Sequence, residues 1–494
     1  MAITPIVLRK SQRGAASPHR PRGASDASGR VALLVVTLAL GAAFLALSIP
    51  HFDAPFANSH DGRNGATWGL ASRALREDGI IDSRAGAELA HDNGAYARHP
   101  PLIVWETAVA EATFGEHGWS TRAPAWMSTL ATLALLAFLL RLSGFSPLAA
   151  AVGVIVGGTT LMALLYGTML DTPVTSLPVA LGVLVLVRLE RLGHPVPRWV
   201  MFAAALLAVL AGWQAALLAG LAAGIQIPGA LRVRRPTSLQ LGFVAGALTI
   251  LVWLLWAHGG LGPAIDDLRF RTGVDSRPGR HSPGWWLFFE AQLTYSLRLL
   301  GVVGTMLLVP SCVAVACMRR FRPSGAILVV ACLAYPVILR EAAVNHDYWN
   351  FWLIAPLTLG AAALFDLLRV QIAGSLVQVI VFAIVGLGAA TGLVHTAFAA
   401  RETYSGQLAT SVRLPESQPV AVAGSRFPTP PRWLAYATRR PLVELDEAEA
   451  RHFGRDHPDA LVLVHCDPPP TGVACDNDGV RFVAASELMP EPGR

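Results

Sequence analysis

The feature that most constrains this chain is its succession of long apolar runs, about eleven of them between Val31 and Phe398. A helix needs about 20 mainly apolar residues to cross roughly 30 Å of hydrocarbon. Runs of that kind fall near 31–50, 124–142, 147–166, 170–188, 199–213, 214–231, 238–258, 297–318, 324–340, 349–368 and 373–398. Hydrophobic residues make up 53% of the chain and charged residues 15%, a balance that excludes an ordinary soluble globule. In lipid only helices and closed barrels satisfy their backbone polar groups. The expected fold is therefore an all-α polytopic membrane protein of about 11 transmembrane helices.

The charges between the runs orient it, because Lys and Arg accumulate in short cytoplasmic loops. Arg9, Lys10, Arg13, Arg20, Arg22 and Arg30 precede the first run. Later clusters are Arg188, Arg191 and Arg198, then Arg232, Arg234 and Arg235, then Arg319, Arg320 and Arg322. With about eleven spans all of these share one side with Arg141 and Arg369. A single helix over 199–231 would scatter them, so Gly212, Trp213 and Gln214 read as a turn between two spans. The N-terminus is then inside and the residues after Phe398 are outside. The polar leader before Val31 is too long for a cleaved signal, so the first run is expected to remain as a span. The basic balance reflects topology, and no soluble basic face calls for a nucleic-acid partner. Lys10 is the only lysine, which points to a GC-rich genome, and the expected location is a bacterial cytoplasmic membrane.

Three further regions frame the spans of 31–398. Residues 1–30 are rich in Ser, Gly, Pro and Arg and are expected to be disordered. Residues 51–123 and 259–296 are outer loops. Residues 399–494 read as a small extracytoplasmic α/β domain, with strand-type runs at Val420–Ala423, Leu442–Leu445, Leu461–His465 and Val480–Ala484 and helical stretches near 430–439 and 446–453. It carries no phosphate-cradling Gly loop and no nucleophile elbow, and is expected to cap the outer face. Cys466 and Cys475 lie in it, where an oxidising compartment favours a disulfide over free thiols. Cys312, Cys317 and Cys332 fall in spans and read as small apolar fillers.

In the first outer loop, Trp68, Ala71 and Leu75 recur at helical spacing with Arg73 and Arg76 off that face. This predicts an interfacial helix over 64–76 with its apolar stripe toward lipid or the bundle. A second helix is expected to start after Pro100–Pro101 and run through Trp105 to Phe114. Trp105, Trp119, Trp126, Trp285 and Trp286 suit an aromatic belt.

Two carboxylates stand out. Asp61 lies in the turn NSHDGRNG, soon after the first span, where it reads either as a general base or as a helix cap. Asp171, in TMLDTP, sits where a carboxylate must be solvated, paired or used, and it also reads as the cap of span four. The cations Arg98, His99, Arg269, Arg271 and His346 fall on the same predicted side and could bind an anion; Arg269 and Arg271 flank Phe270 and diverge on a helix. Two carboxylates far apart in sequence leave room for a divalent cation without establishing one.

The order of these elements resembles the GT-C superfamily of membrane glycosyltransferases, and within it the protein O-mannosyltransferase and lipid A aminoarabinose transferase group. The matching residues are Asp61; then Tyr96, His99, Pro100, Pro101 and Leu102; then Phe114, Gly115 and Arg122; then Asp171, His346 and Tyr348. The resemblance covers the membrane part to about residue 370. It implies inverting transfer of a sugar from a polyprenyl-phosphate donor to a glycan, lipid or protein acceptor, at the outer face. By the same resemblance Asp61 is the base, Asp171 is catalytic, and Tyr96 and Tyr348 line the substrate. Gly62 replaces a second acidic residue common at this turn, and His99 stands where the aminoarabinose enzymes carry Lys. The rival readings are a flippase or transporter for lipid-linked sugars and a non-catalytic glycan-binding scaffold. Transporters place ionisable groups near the bilayer midplane, whereas these spans are almost free of charge.

Overall fold

The computed structural model describes residues 24–56, 59–90, 92–233, 235–272, 284–371 and 375–405, with the strands of the tail and the single residues Arg432, Tyr436 and Phe453. Cys466 and Cys475 lie outside the described residues, as does nearly all of the leader. The helices are α1 (Ala24–Ser48), α2 (His60–Glu77), α3 (Gly79–Asp82), α4 (Leu102–Phe114), α5 (Gly118–Leu142), α6 (Pro147–Gly158), α7 (Leu161–Leu164), α8 (Thr172–Arg191), α9 (Arg198–Ala211) and α10 (Trp213–Gly224). They continue as α11 (Ile227–Val233), α12 (Ser238–Ala257), α13 (Leu261–Arg271), α14 (Trp285–Leu299), α15 (Gly301–Cys317), α16 (Ser324–Ile338), α17 (Arg340–Ala343), α18 (Ile354–Gln371) and α19 (Ser375–Ser405).

Among the described residues 6 helices are long and apolar enough to cross a membrane, and a bent pair makes up to 7. Shorter apolar helices, α9, α10, α15 and α16, occupy the other runs read from the sequence. The chain is thus a multi-pass membrane protein. The run 199–231 is indeed divided: Gly212 leaves α9 in an extended conformation and a Cβ there would stand 3.0 Å from Ser176. The run 147–166, read as one span, is bent by 75° between α6 and α7. The cause is local. The Thr159 hydroxyl donates to the Ile155 carbonyl at 2.7 Å and the Thr160 hydroxyl to the Gly157 carbonyl at 2.8 Å, while Thr160 caps the new helix. Such back-bonding bends helices.

Without a hydrophobic force between helices in lipid, close backbone approach does the packing. Here α18 is gripped from two sides: Gly153 and Gly157 of α6 face Thr358, and Gly360 faces the Ser311 backbone of α15, leaving no room for a Cβ. Preceding α18 is a 3-10 stretch, Asp347–Leu353, whose residues are all buried.

Over the bundle, α2 packs on α4 and α5, with a short antiparallel hairpin β1 (Glu88–Leu89) and β2 (Asp92–Ala95) beside it. The helix after Pro101 ends at Phe114, as expected, because Gly115 takes φ +83. The apolar stripe of the interfacial helix faces the bundle, one of the two expected orientations, whereas Arg73, expected off the buried face, is only 1% exposed. In the tail β3 (Val420–Ala423), β4 (Val443–Leu445), β5 (Leu461–His465) and β6 (Val480–Ala484) form one sheet in the order β4-β3-β5-β6. The first three are parallel and β6 is antiparallel. Within the expected helical stretches Arg432, Tyr436 and Phe453 are helical, and most of the remainder lies outside the described residues.

Gly360→Ala should lower the melting temperature of the detergent-purified protein, since forcing one methyl into a full interface costs about 1–3 kcal/mol. An unchanged melting temperature would show that α15 and α18 can separate freely.

Candidate active site

The site is built around the first turn of α2. Ser59 caps it, its hydroxyl accepting the Gly62 N–H at 3.1 Å, so Asp61 is not the cap. Asp61 lies in the first turn, where the positive end of the helix favours an acid. Successive helical residues point about 100° apart while positions i and i+4 share a face. His60 therefore points about 100° away from Asp61, and Asn64 points between the two.

On the Asp61 side stands Arg122 of α5, itself 1% exposed. Its Nη2 and Nε approach Asp61 Oδ2 at 2.6 and 3.2 Å, leaving Oδ1 with one contact of 3.5 Å. Its Nη1 donates to the Ala54 carbonyl at 2.7 Å, and the guanidinium lies 4.1 Å over the Phe56 ring. The guanidinium is thus engaged through Nε, Nη1 and Nη2, and it fixes one carboxylate oxygen more closely than the other.

Beside Asn64, Asp171 caps α8, one residue before that span begins. It accepts the Thr172 N–H at 2.5 Å and the Asn64 side-chain amide at 2.7 Å. Burial pushes its carboxyl up from 3.8 to about 7, against the opposing pull of Thr172, Tyr348 and His60. His99, 5% exposed, reaches the Thr172 hydroxyl through Nδ1 at 3.3 Å and lies against Trp68 and Tyr96. The Arg98 guanidinium covers Tyr96 at 5.6 Å.

A third carboxylate, Asp347, completes the row. It accepts the Tyr166 hydroxyl at 2.8 Å, pairs with Arg298 of α14, and lies 3.7 Å from His60 Nδ1. The His60 ring meets Tyr348 edge-on at 5.6 Å, so one imidazole stands between the Asp347 and Asp171 groups. Arg298 also lines an apolar cavity of about 500 Å³ with Val156, Thr160, Leu300, Val385 and His395.

The structure thus gathers Asp171, His99, Tyr96, Arg98 and Tyr348 around His60, Asn64 and Trp68 of α2 and pairs Asp61 with Arg122. His346 adjoins Tyr348 at 5.4 Å but turns its Nδ1 to the Ala342 carbonyl at 2.7 Å and stacks on Trp349. Arg269 is exposed on α13, whose main neighbours are α12 and α17. Arg271 ends that regular helix, so the two positions diverge. Among the described residues no three His, Cys, Asp or Glu side chains group to hold a metal ion, and Asp61 and Asp171 engage different partners. The sequence reading missed His60, Asn64, Asp347, Tyr166 and Arg298, and named Arg122 without a role. The His60–Asn64 spacing and the acid inside HDYWNFW were the available signals.

No protein-family profile matches the chain, and no curated protein does. Solved structures do. ArnT from Cupriavidus metallidurans bound to undecaprenyl phosphate superposes with a TM-score of 0.62 at 16% identity, over 93% of this chain and 98% of that one. The same protein in the apo state gives 0.58 at 14%, over 94% and 99%. The Archaeoglobus fulgidus oligosaccharyltransferase in the apo form gives 0.55 at 13%, over 88% and 70%. The chain therefore shares the fold of these solved structures.

Arg122→Ala should cost about 3–5 kcal/mol by stranding the buried Asp61 carboxylate, and adding Asp61→Asn should recover much of that loss. Melting temperatures of the single and double variants test this, and purely additive losses would show no coupling. Asp171 makes a prediction in pH. Its folded carboxyl holds a proton up to about 7, so its contribution is full below about pH 4 and is lost as pH rises through 7. Asp171→Asn should melt near wild type at pH 4 and above it at pH 8; a pH-independent difference would contradict a buried titrating acid.

Proposed function

We propose that this protein is a membrane glycosyltransferase that moves a sugar from a polyprenyl-phosphate donor to an acceptor hydroxyl on a glycan, lipid or protein. The observation that carries the reading is the continuity of the site: through Arg298, an apolar cavity adjoins a row of buried carboxylates at the start of one helix. A transporter would need its ionisable groups along a path through the spans. The fold, shared with an ArnT bound to undecaprenyl phosphate, supports the same class.

In this reading the prenyl chain occupies the cavity and its phosphate faces the polar row beginning at Arg298. His99 and Arg98 hold the phosphate, while the helical placement of Arg269 and Arg271 lends no support to the same duty. Asp61, oriented by Arg122, takes the proton of the acceptor hydroxyl through Oδ1. The acceptor oxygen then bonds to the anomeric carbon from the face opposite the leaving group, with inversion. The bond from that carbon to the phosphate oxygen breaks, and its electron pair leaves with the phosphate. Asp171, bonded to Asn64 on the same helix turn as Asp61, orients the acceptor. The site faces the outer side of a bacterial cytoplasmic membrane, as the Arg clusters indicate.

The test is transfer from a panel of radiolabelled polyprenyl-phosphate sugars by purified wild type and Asp61→Asn. The amide keeps the shape and removes the base, so turnover should fall about 10²–10⁴-fold while donor still binds. Equal turnover in both proteins would remove Asp61 from the mechanism, and binding of undecaprenyl phosphate without transfer of any sugar would favour a scaffold or flippase.

A further inference from the structure

We propose that a cleft at the far ends of the spans holds the phosphate of an anionic phospholipid headgroup, with the Arg188 guanidinium as its principal ligand. The cleft lies at the opposite end of α8 from the candidate active site. Asp171 caps the start of that helix, and at about 1.5 Å per residue Arg188 lies about 26 Å along it. This is the end to which the charge pattern assigns the inner leaflet.

Five elements meet there. Ser143 follows α5, Leu184 and Arg188 come from the end of α8, Arg320 from the turn after α15, Ser324 from the start of α16, and Leu359 from α18. Arg320 is held at the cleft by its neighbours. Its Nη1 donates to Asp366 at 2.7 Å, and its guanidinium lies 5.0 Å over Phe145, which stacks on Phe321 at 5.1 Å. The free space inside is about 10 Å³, room for one oxygen atom. A phosphate therefore seats at the mouth with one oxygen directed inward.

What marks the cleft is its unused donors. Among the described residues Arg188 makes no hydrogen bond and no ion pair, and its Nε is sealed from solvent without a partner. A charge drawn out of water in this way is costly unless something matches it. Ser143 and Ser324 are 5% and 8% exposed, and neither hydroxyl is hydrogen-bonded among the described residues. No side chain caps α16, so the positive end of that helix falls at the same place. Two guanidiniums face one carboxylate, because Asp366 is taken by Arg320. The single positive charge left over is the charge that a phosphodiester cancels, and a guanidinium fork accepts its oxygens in pairs. The leucines lining the cleft between the spans direct it toward the bilayer, and basic pockets so placed take anionic headgroups.

The test titrates phosphatidylglycerol into the full-length protein in neutral detergent, read by native mass spectrometry and melting temperature. Diacylglycerol and inorganic phosphate are the controls. Arg188→Gln should weaken phosphatidylglycerol binding about tenfold, the worth of one charged hydrogen bond, and leave diacylglycerol unchanged. Arg188→Lys, which keeps the charge, should recover part of the loss. Without lipid, Arg188→Gln should melt no lower than wild type, because it gives up no internal bond. Arg319→Gln, exposed nearby but outside the cleft, should bind as wild type does. Wild-type affinity in Arg188→Gln would overturn the proposal. So would an equal loss in Arg319→Gln, the mark of diffuse attraction to an anionic surface, or inorganic phosphate binding as tightly as the lipid. A lipid-free melting temperature lowered in Arg188→Gln would assign Arg188 to the fold itself and overturn it as well. None of these outcomes depends on whether sugar is transferred.

Discussion

A charge withdrawn from water at the edge of a membrane must be matched by a partner, and the first turn of α2 is organised by that requirement. Asp61 has Arg122; Asp171 has the Thr172 N–H and the Asn64 amide; Asp347 has Arg298 and the Tyr166 hydroxyl. A second buried network fastens the other end of the helix. Glu111 accepts the Ser72 and Thr121 hydroxyls at 2.5 Å each and the Arg76 guanidinium at 3.1 Å, while Glu116 pairs with Arg73 and Arg76. Burial raises the Glu111 carboxyl, and the two hydroxyls and Arg76 oppose the rise. α2 is thereby tied to α5 at its first turn and, through Glu111, to α4 at its last, which is the rigidity a reacting group needs.

The bundle presents the rest of the site by the same logic. The Trp352 indole donates to the Pro173 carbonyl at 3.0 Å and the Gln214 amide to the Trp349 carbonyl at 3.3 Å. These bonds tie the 3-10 stretch before α18 to the starts of α8 and α10. Asn350 reaches Gln292 at 2.8 Å, bringing in α14, the helix that bears Arg298. Asp171, Asp347 and Tyr348 are set in place together, because the glycine seam fixing α18 also fixes the turn that precedes it.

How much of this was legible follows from the length scale of each signal. Spans declare themselves over about 20 residues, so they were read closely, and the break at Gly212 was visible because the charge clusters demanded it. The bend between α6 and α7 was hidden, since two threonines inside an apolar run do not mark a break unless their hydroxyls turn back onto the chain. Arg73 was placed away from the buried face because helical spacing sees only apolar stripes, and its burial is created by Glu116 and Tyr436, 43 and 363 residues away. The site divided in the same way. Asp61, Tyr96, His99, Asp171 and Tyr348 were picked out as candidates by short ordered motifs. Asn64, Arg298 and Tyr166 became visible only once distant segments met, because an Asn in a turn and an Arg after a Leu-rich run carry no local mark of their partners.

The order of groups along α2 bears on chemistry as well as on packing. In the transfer proposed above, negative charge builds on the departing phosphate while the acceptor gives up a proton, so cations and a base must be held at separate points. A helix separates such groups without moving either, because each turn advances about 5.4 Å. Asp61 is held by Arg122 at the first turn, and the His99, Arg98 and Tyr96 group lies by Trp68, about two turns along, and by Thr172. The tail touches both groups, Tyr436 through Phe56 and Arg432 through Tyr96. Donors fixed in advance on such a frame need no reorganisation when charge develops, which is the condition under which they contribute most.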